Sequence, residues 1–133
     1  MSTPNQPHQI LDYGWNSHFL TESVPNSWIE LDMKDRAVSL THYTLKSHRA
    51  WGNWFKSWVI ECSNDRESDN WDIVDERNTD DLVGKSRIRT YQVQRTGTFY
   101  RYVRMRQTGK DSSKADFLVL TNIEIFGETK KLI

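Results

Sequence analysis

An all-β fold, an antiparallel sandwich or barrel, is what this sequence predicts, and three observations predict it. Short runs alternate apolar and polar residues with period two, turn signals separate those runs, and no stretch places apolar residues at i, i+3, i+4 and i+7. Successive strands with no helices between them bury their apolar faces by packing as antiparallel layers. The 133 residues suffice for one domain with one core.

The elements follow in order. Residues 1–12 carry Pro4 and Pro7 among polar neighbours and read as a flexible N-terminal arm. Ile29, Leu31 and Met33 alternate with Glu30 and Asp32, the pattern of a half-buried strand. Val38 and Leu40, then Tyr43 and Leu45, mark a second run rich in β-formers. Trp58, Ile60 and Cys62 mark a third, and Asn64-Asp65 turns the chain before residues 71–74 resume an extended pattern. The piece 79–83 is the best helical candidate, with Thr79 or Asp80 as cap and Gly84 as stop. Tyr91 and Val93 alternate with Gln92 and Gln94 before the Thr96-Gly97 turn, and Val103 and Met105 alternate with Arg104 and Arg106. Residues 117–126 are the most apolar stretch, closed by Gly127, and residues 129–133 read as a frayed C-terminal tail.

Composition narrows the function classes. Lys plus Arg equals Asp plus Glu at 18 each, so the net charge is zero and overall attraction to nucleic acid or anionic membrane is weak. Residues 61–81 are acidic apart from Arg66 and Arg77 among their charges, and residues 85–114 are basic apart from Asp111. Two such blocks either face each other across neighbouring strands or leave a basic face for an anionic ligand. Cys62 is the sole cysteine, so no intrachain disulfide forms. No signal-length apolar stretch, spanning segment or Asn-x-Ser/Thr sequon occurs, which together point to a reducing, cytoplasmic setting.

Catalytic signatures are missing. There is no G-x-S-x-G elbow, H-E-x-x-H pair or phosphate-cradling glycine loop, and His8, His18, His42 and His48 show no metal spacing. Cys62 sits in a strand with Trp58 and Ile60, as a core filler does. The run 65–76 places Glu76 at the twelfth position of a calcium loop, but Asn70 stands where Gly is required and no helix flanks it. Tyr100 and Tyr102 interleave with Arg101 and Arg104 as in a single-strand nucleic-acid groove, without the glycines or crossover helices of an RNA-recognition domain.

Binding chemistry concentrates between strands. Residues 46–56, KSHRAWGNWFK, should form a loop, yet they carry Trp51, Trp54 and Phe55 beside His48, Arg49 and Asn53. Aromatic faces among such donors either stack on a sugar, a base or a partner's side chain, or seal the end of the sandwich. Gly52 frees the backbone after Trp51 and makes that ring the better surface candidate. Residues 12–19, with Tyr13, Trp15, Asn16 and His18, form a second such loop, and polar residues 107–116 a third.

Taken together these segments resemble a family. Ser27-Trp28-Ile29-Glu30-Leu31-Asp32, Val38, Thr41 to Ser47, Ser57-Trp58-Val59-Ile60-Glu61-Cys62-Ser63-Asn64-Asp65, Trp71, Arg101 to Met105 and Ile123-Glu124-Ile125-Phe126-Gly127 follow in the order seen in discoidin-like domains. These are the coagulation-factor type C domains of the galactose-binding-like superfamily. The resemblance implies an eight-stranded antiparallel jelly-roll β-sandwich over residues 13–128, with ligand loops gathered at one end. It implies binding of carbohydrate, phospholipid, collagen or protein rather than catalysis. Extracellular members join their ends by a disulfide; a lone Cys62 is similar to the intracellular branch carried on ubiquitin-ligase and BTB-type scaffolds.

The resulting expectation is a non-catalytic adaptor that recognises a protein partner through its end loops, the alternative being a carbohydrate-binding module using the same loops. The ligand-binding residues expected are Trp51, Trp54, His48, Arg49, Asn53, Trp15 and His18. A monomer is expected, with no nucleic-acid partner and no membrane insertion. No cofactor is expected; a structural calcium ion held by backbone carbonyls would leave no trace in sequence.

Overall fold

A computed structural model describes residues 19–20, 23–49 and 52–132, and every regular element among them is a strand. The strands are β1 (Phe19–Leu20), β2 (Trp28–Asp32), β3 (Arg36–Lys46), β4 (Ser57–Ser63), β5 (Asp72–Asn78), β6 (Ile88–Gln92), β7 (Tyr102–Gln107), β8 (Val119–Leu120) and β9 (Asn122–Lys131). All pairings are antiparallel. A four-stranded sheet runs β2-β7-β4-β5, a three-stranded sheet runs β6-β3-β9, and β1 pairs with β8 in a short ribbon. The expected sandwich is present; its two larger sheets hold seven strands, and the β1-β8 ribbon brings the total among the described residues to nine rather than eight.

The core lies where inward side chains of the two larger sheets meet. Ile29, Leu31, Ile60, Val103 and Met105 from one sheet and Tyr43, Leu45 and Ile123 from the other are buried. Phe55 and Tyr91 pack on the Trp58 ring edge-on, with centroids 5.2 and 5.5 Å away. Leu82 and Leu118, from loops, are also fully buried and cap this core.

Two irregularities decide which residues face inward. Leu40 and Tyr43 are an odd number of residues apart, so a regular strand would send them to opposite faces. The β3–β9 register shifts between Leu40 and His42, and this bulge lets both be buried. Gly127 lies opposite Leu40, where a Cβ would meet Ser39 O at 2.1 Å. A second shift, between Ile60 and Glu61 of β4, turns the adjacent Val74 and Asp75 of β5 both inward.

Asp75 is fully buried and needs partners there. Tyr43 Oη donates to Asp75 Oδ2 and Trp58 Nε1 donates to Tyr43 Oη at 3.0 Å. Arg77 closes the charge with Nε to Oδ2 at 2.9 Å and Nη2 to Oδ1 at 3.1 Å. Burial, then the Asp75 carboxylate, raises the Tyr43 phenol far above its ordinary ionisation range.

The charge blocks meet across strands on the outer face of the four-stranded sheet. Glu61 accepts from Arg104 Nε at 2.7 Å and Arg106 Nε at 3.0 Å; Arg101 of the basic block instead pairs through Nε with Asp32, outside the acidic block, at 2.9 Å. Arg104 lies 4.0 Å over the Trp71 ring and 5.3 Å over the Trp28 ring. Trp71 therefore packs outside the sheet, whereas Trp58 fills the space between the layers.

Two other expectations give way. Residues 79–83 form a single turn, with Val83 N donating to Asp80 O at 3.0 Å, because so short a piece buries only Leu82 and Gly84 at φ +134° ends it. Lys130 and Lys131, expected in a frayed tail, pair with Ala37 and Arg36, and Lys130 Nζ lies 4.7 Å over the Phe99 ring.

Candidate functional site

The loops 47–56, 79–87 and 108–118 leave the sheets at the same end as the start of β2. Their hydrogen bonds run between loops. Ser86 N donates to His48 O at 3.2 Å, and Ser47 Oγ donates to Gly84 O at 2.6 Å. Ser112 N donates to Trp54 O at 2.9 Å while Trp54 N donates to Ser112 Oγ at 3.0 Å. Asp116 N reaches back to Ser23 Oγ at 3.1 Å.

Asp111 organises the 108–118 loop. It is 3 % exposed, and its Oδ1 accepts from Ser113 N at 2.8 Å and Ala115 N at 3.0 Å. Its Oδ2 accepts from Asn53 Nδ2 at 3.0 Å, and Asn53 N donates to Ser113 Oγ at 3.0 Å. One buried carboxylate thus ties two loops together. Left-handed backbone concentrates here, with Gly52, Asn53, Gly84, Ser86 and Lys114 all at positive φ. For the non-glycine residues this costs free energy and persists only where surrounding bonds hold it.

The sequence-predicted residues separate on inspection. Trp54 is 8 % exposed and its Nε1 donates to His48 O at 3.3 Å. His48 is 4 % exposed, with its ring 6.0 Å from that of Trp54. These two, with Phe55, close the end of the sandwich rather than offer a flat face. Arg49 is exposed and Asn53 half-buried, both on the same loop. Trp15, His18 and Trp51 lie outside the described residues.

Residues of the expected loops outside the expected ligand-binding set complete the loop surface. Lys110 pairs with Asp116 at 2.6 Å and Lys56 with Asp80 at 3.2 Å, so the rim carries both signs of charge. Asp111 had one signal in sequence, an acidic residue isolated in a basic block.

Cys62 is buried, and desolvation, with Asp72 and Glu61 nearby, pushes its thiol up to about 12, which keeps it a thiol at neutral pH. No group of three or more His, Cys, Asp or Glu side chains able to hold a metal occurs among the described residues. The Asp65 carboxylate, from the run tested as a calcium loop, accepts from Glu67 N at 3.0 Å. No helix among the described residues is long and apolar enough to cross a membrane.

Comparison with known proteins agrees with this architecture. The CBM32 of AlyQ, in complex with 4,5-unsaturated mannuronic acid, has 15 % sequence identity and a TM-score of 0.70, over 94 % of this chain and 92 % of that one. A CBM32 from Clostridium perfringens, in complex with GalNAc-β-1,3-galactose, has 15 % identity and a TM-score of 0.69, over 90 % and 81 % of the two chains. Chitosan-binding module 1 of a chitosanase/glucanase from Paenibacillus sp. IK-5 has 21 % identity and a TM-score of 0.66, over 92 % and 85 %. At these identities the likeness is one of fold. No curated protein matches the sequence. The family model for the F5/8 type C domain matches residues 2–119, most of the chain, and this protein therefore belongs to the F5/8 type C domain family.

Proposed function

We propose that this chain is a non-catalytic carbohydrate-binding module whose ligand lies against the 47–56 and 108–118 loops, with Arg49 and Asn53 as polar contacts. The observation that carries this reading is the inward turn of Trp54 beneath a polar, cross-braced loop surface. Docking of a protein through Trp54 would require that ring at the centre of an exposed apolar patch. The described part of the surface instead offers an exposed guanidinium, a half-buried carboxamide, hydroxyls and lysines. Sugars are bound by a few such groups held in fixed positions, and loops already braced lose little freedom on binding. Sugar complexes of two modules with this fold support the same reading.

Glycan-array screening followed by calorimetry tests it. Arg49→Ala should weaken the best array ligand about tenfold or more, the loss of one charge-assisted hydrogen bond. An array without hits, together with a captured protein whose binding Arg49→Ala abolishes, would return the loops to the adaptor role.

A further inference from the structure

We infer that the outer face of the three-stranded sheet is a second carbohydrate-binding surface, one that takes a neutral sugar chain laid across β6, β3 and β9. A cleft of about 410 Å³ lies there, lined by Thr44, Lys46, Ile88, Asn122, Glu124 and Phe126. Its volume falls within the range of small-ligand sites. The row of Ile88, Lys46 and Asn122 adjoins the loop end, but none of the residues of the proposed loop-end site lines this cleft.

Register builds the cleft. Ile88, Lys46 and Asn122 share one row across the sheet, Thr90, Thr44 and Glu124 share the next, and Phe126 lies beside His42 in the third. Apolar groups stand at two opposite corners, Ile88 at 54 % and Phe126 at 44 % exposure. Between them the face carries one ammonium and one carboxylate, so it has no net charge with which to attract an anion.

Asn122 Oδ1 is buried and has no hydrogen-bond partner among the described residues. A buried acceptor without a donor is unfavourable, and rotation of the Asn122 carboxamide into the cleft would bring it a ligand hydroxyl. Hydroxyls both donate and accept, which matches Asn122, Lys46 and Glu124 in one cleft. The C–H face of a sugar ring packs on an aromatic such as Phe126 while its hydroxyls turn to the polar rows.

Other occupants fit less well. An extended peptide adds to a strand edge through main-chain bonds, and β3 under this cleft is already paired on both sides. A protein interface needs a contiguous apolar centre, which two separated corners do not supply.

The test is titration of isotope-labelled protein with cellohexaose, mannohexaose and chitohexaose, with a heparin hexasaccharide as anionic control, followed by amide chemical shifts. At least one neutral chain should shift the amides of Thr44, Lys46, Asn122 and Glu124. Phe126→Ala should weaken that binding about tenfold while leaving the far-ultraviolet spectrum unchanged, because it removes an exposed platform. Arg49→Ala should leave binding at the sheet unaffected. The inference is overturned if none of the three neutral chains moves these amides, if only the heparin fragment does, or if all shifts fall in the 47–56 and 108–118 loops. The loop-end reading fails separately, on an Arg49→Ala variant that keeps its array ligand.

Discussion

A tryptophan removed from between two sheets leaves a cavity, whereas one removed from an outer face leaves water. Trp58 is fully buried against Phe55, Tyr91 and the Tyr43 hydroxyl; Trp71 is half-buried and stacked on Arg104. Urea denaturation should therefore show Trp58→Ala losing about 3–5 kcal/mol. Trp71→Ala should lose about 0.5–2 kcal/mol, the worth of a cation–π contact. Equal losses would place both rings in the core. The buried polar network sets a second residue-scale expectation. Burial, then Asp75, raises the Tyr43 phenol, and burial, then Asp81, raises the Tyr91 phenol. In the unfolded chain both ionise near pH 10, roughly the ordinary tyrosine value. Above that pH the unfolded state holds fewer protons than the folded one, so their stabilisation, complete at lower pH, is lost as pH rises. An alkaline denaturation series should show stability falling beyond this point. Tyr43→Phe should shallow that fall while costing about 1–3 kcal/mol at neutral pH, because Asp75 and the Trp58 indole each lose a partner.

At the scale of elements, β3 and β9 depend on a glycine. Gly127→Ala would drive its Cβ onto the Ser39 carbonyl, so chain separation or a register shift must follow. A loss of about 1–3 kcal/mol in chemical denaturation is expected, in the range of overpacked sites. Truncation after Glu128 should also destabilise the fold, since it removes the pairing of Thr129, Lys130 and Lys131 with Val38, Ala37 and Arg36. An unchanged melting midpoint would show those residues to be dispensable. The strands themselves were legible because period-two alternation reports one-sided burial directly. The end of β9 was not, since Glu128 to Lys131 are exposed and polar and their pairing contributes main-chain bonds that side chains do not announce. Residues 79–83 misled for the converse reason. Cap and stop residues suit one turn as well as a helix, and only Leu82 of that piece is buried.

Considered as a whole molecule, the sandwich hides its thiol and exposes two polar surfaces. Cys62 should react with a disulfide reagent such as DTNB only as the molecule opens, at a rate that rises with denaturant. Rapid labelling in native buffer would contradict its burial. The loop end and the outer face of β6-β3-β9 adjoin at Lys46, Ile88 and Asn122, and the first was partly legible in sequence. The aromatic and basic residues between β3 and β4 stand out against the usual composition of loops. Which of them face solvent was not legible, because Trp54 and His48 are turned inward by bonds to residues 86 and 112, distant in sequence. The cleft on the sheet gave no sequence signal at all, since it is assembled from alternate residues of three strands.

What the sequence by itself determined is the all-β class, the order of the main strands, the family and the absence of an intrachain disulfide. Each of these is written in local periodicity, in ordered short motifs or in a residue count. Tertiary structure decided the two bulges, the inward turn of Asp75 and Trp54, the outward place of Trp71 and the grouping of Asn122 with Lys46 and Ile88. Register and bulges depend on which strands pair and where, and pairing is a property of contacts between residues far apart in the chain.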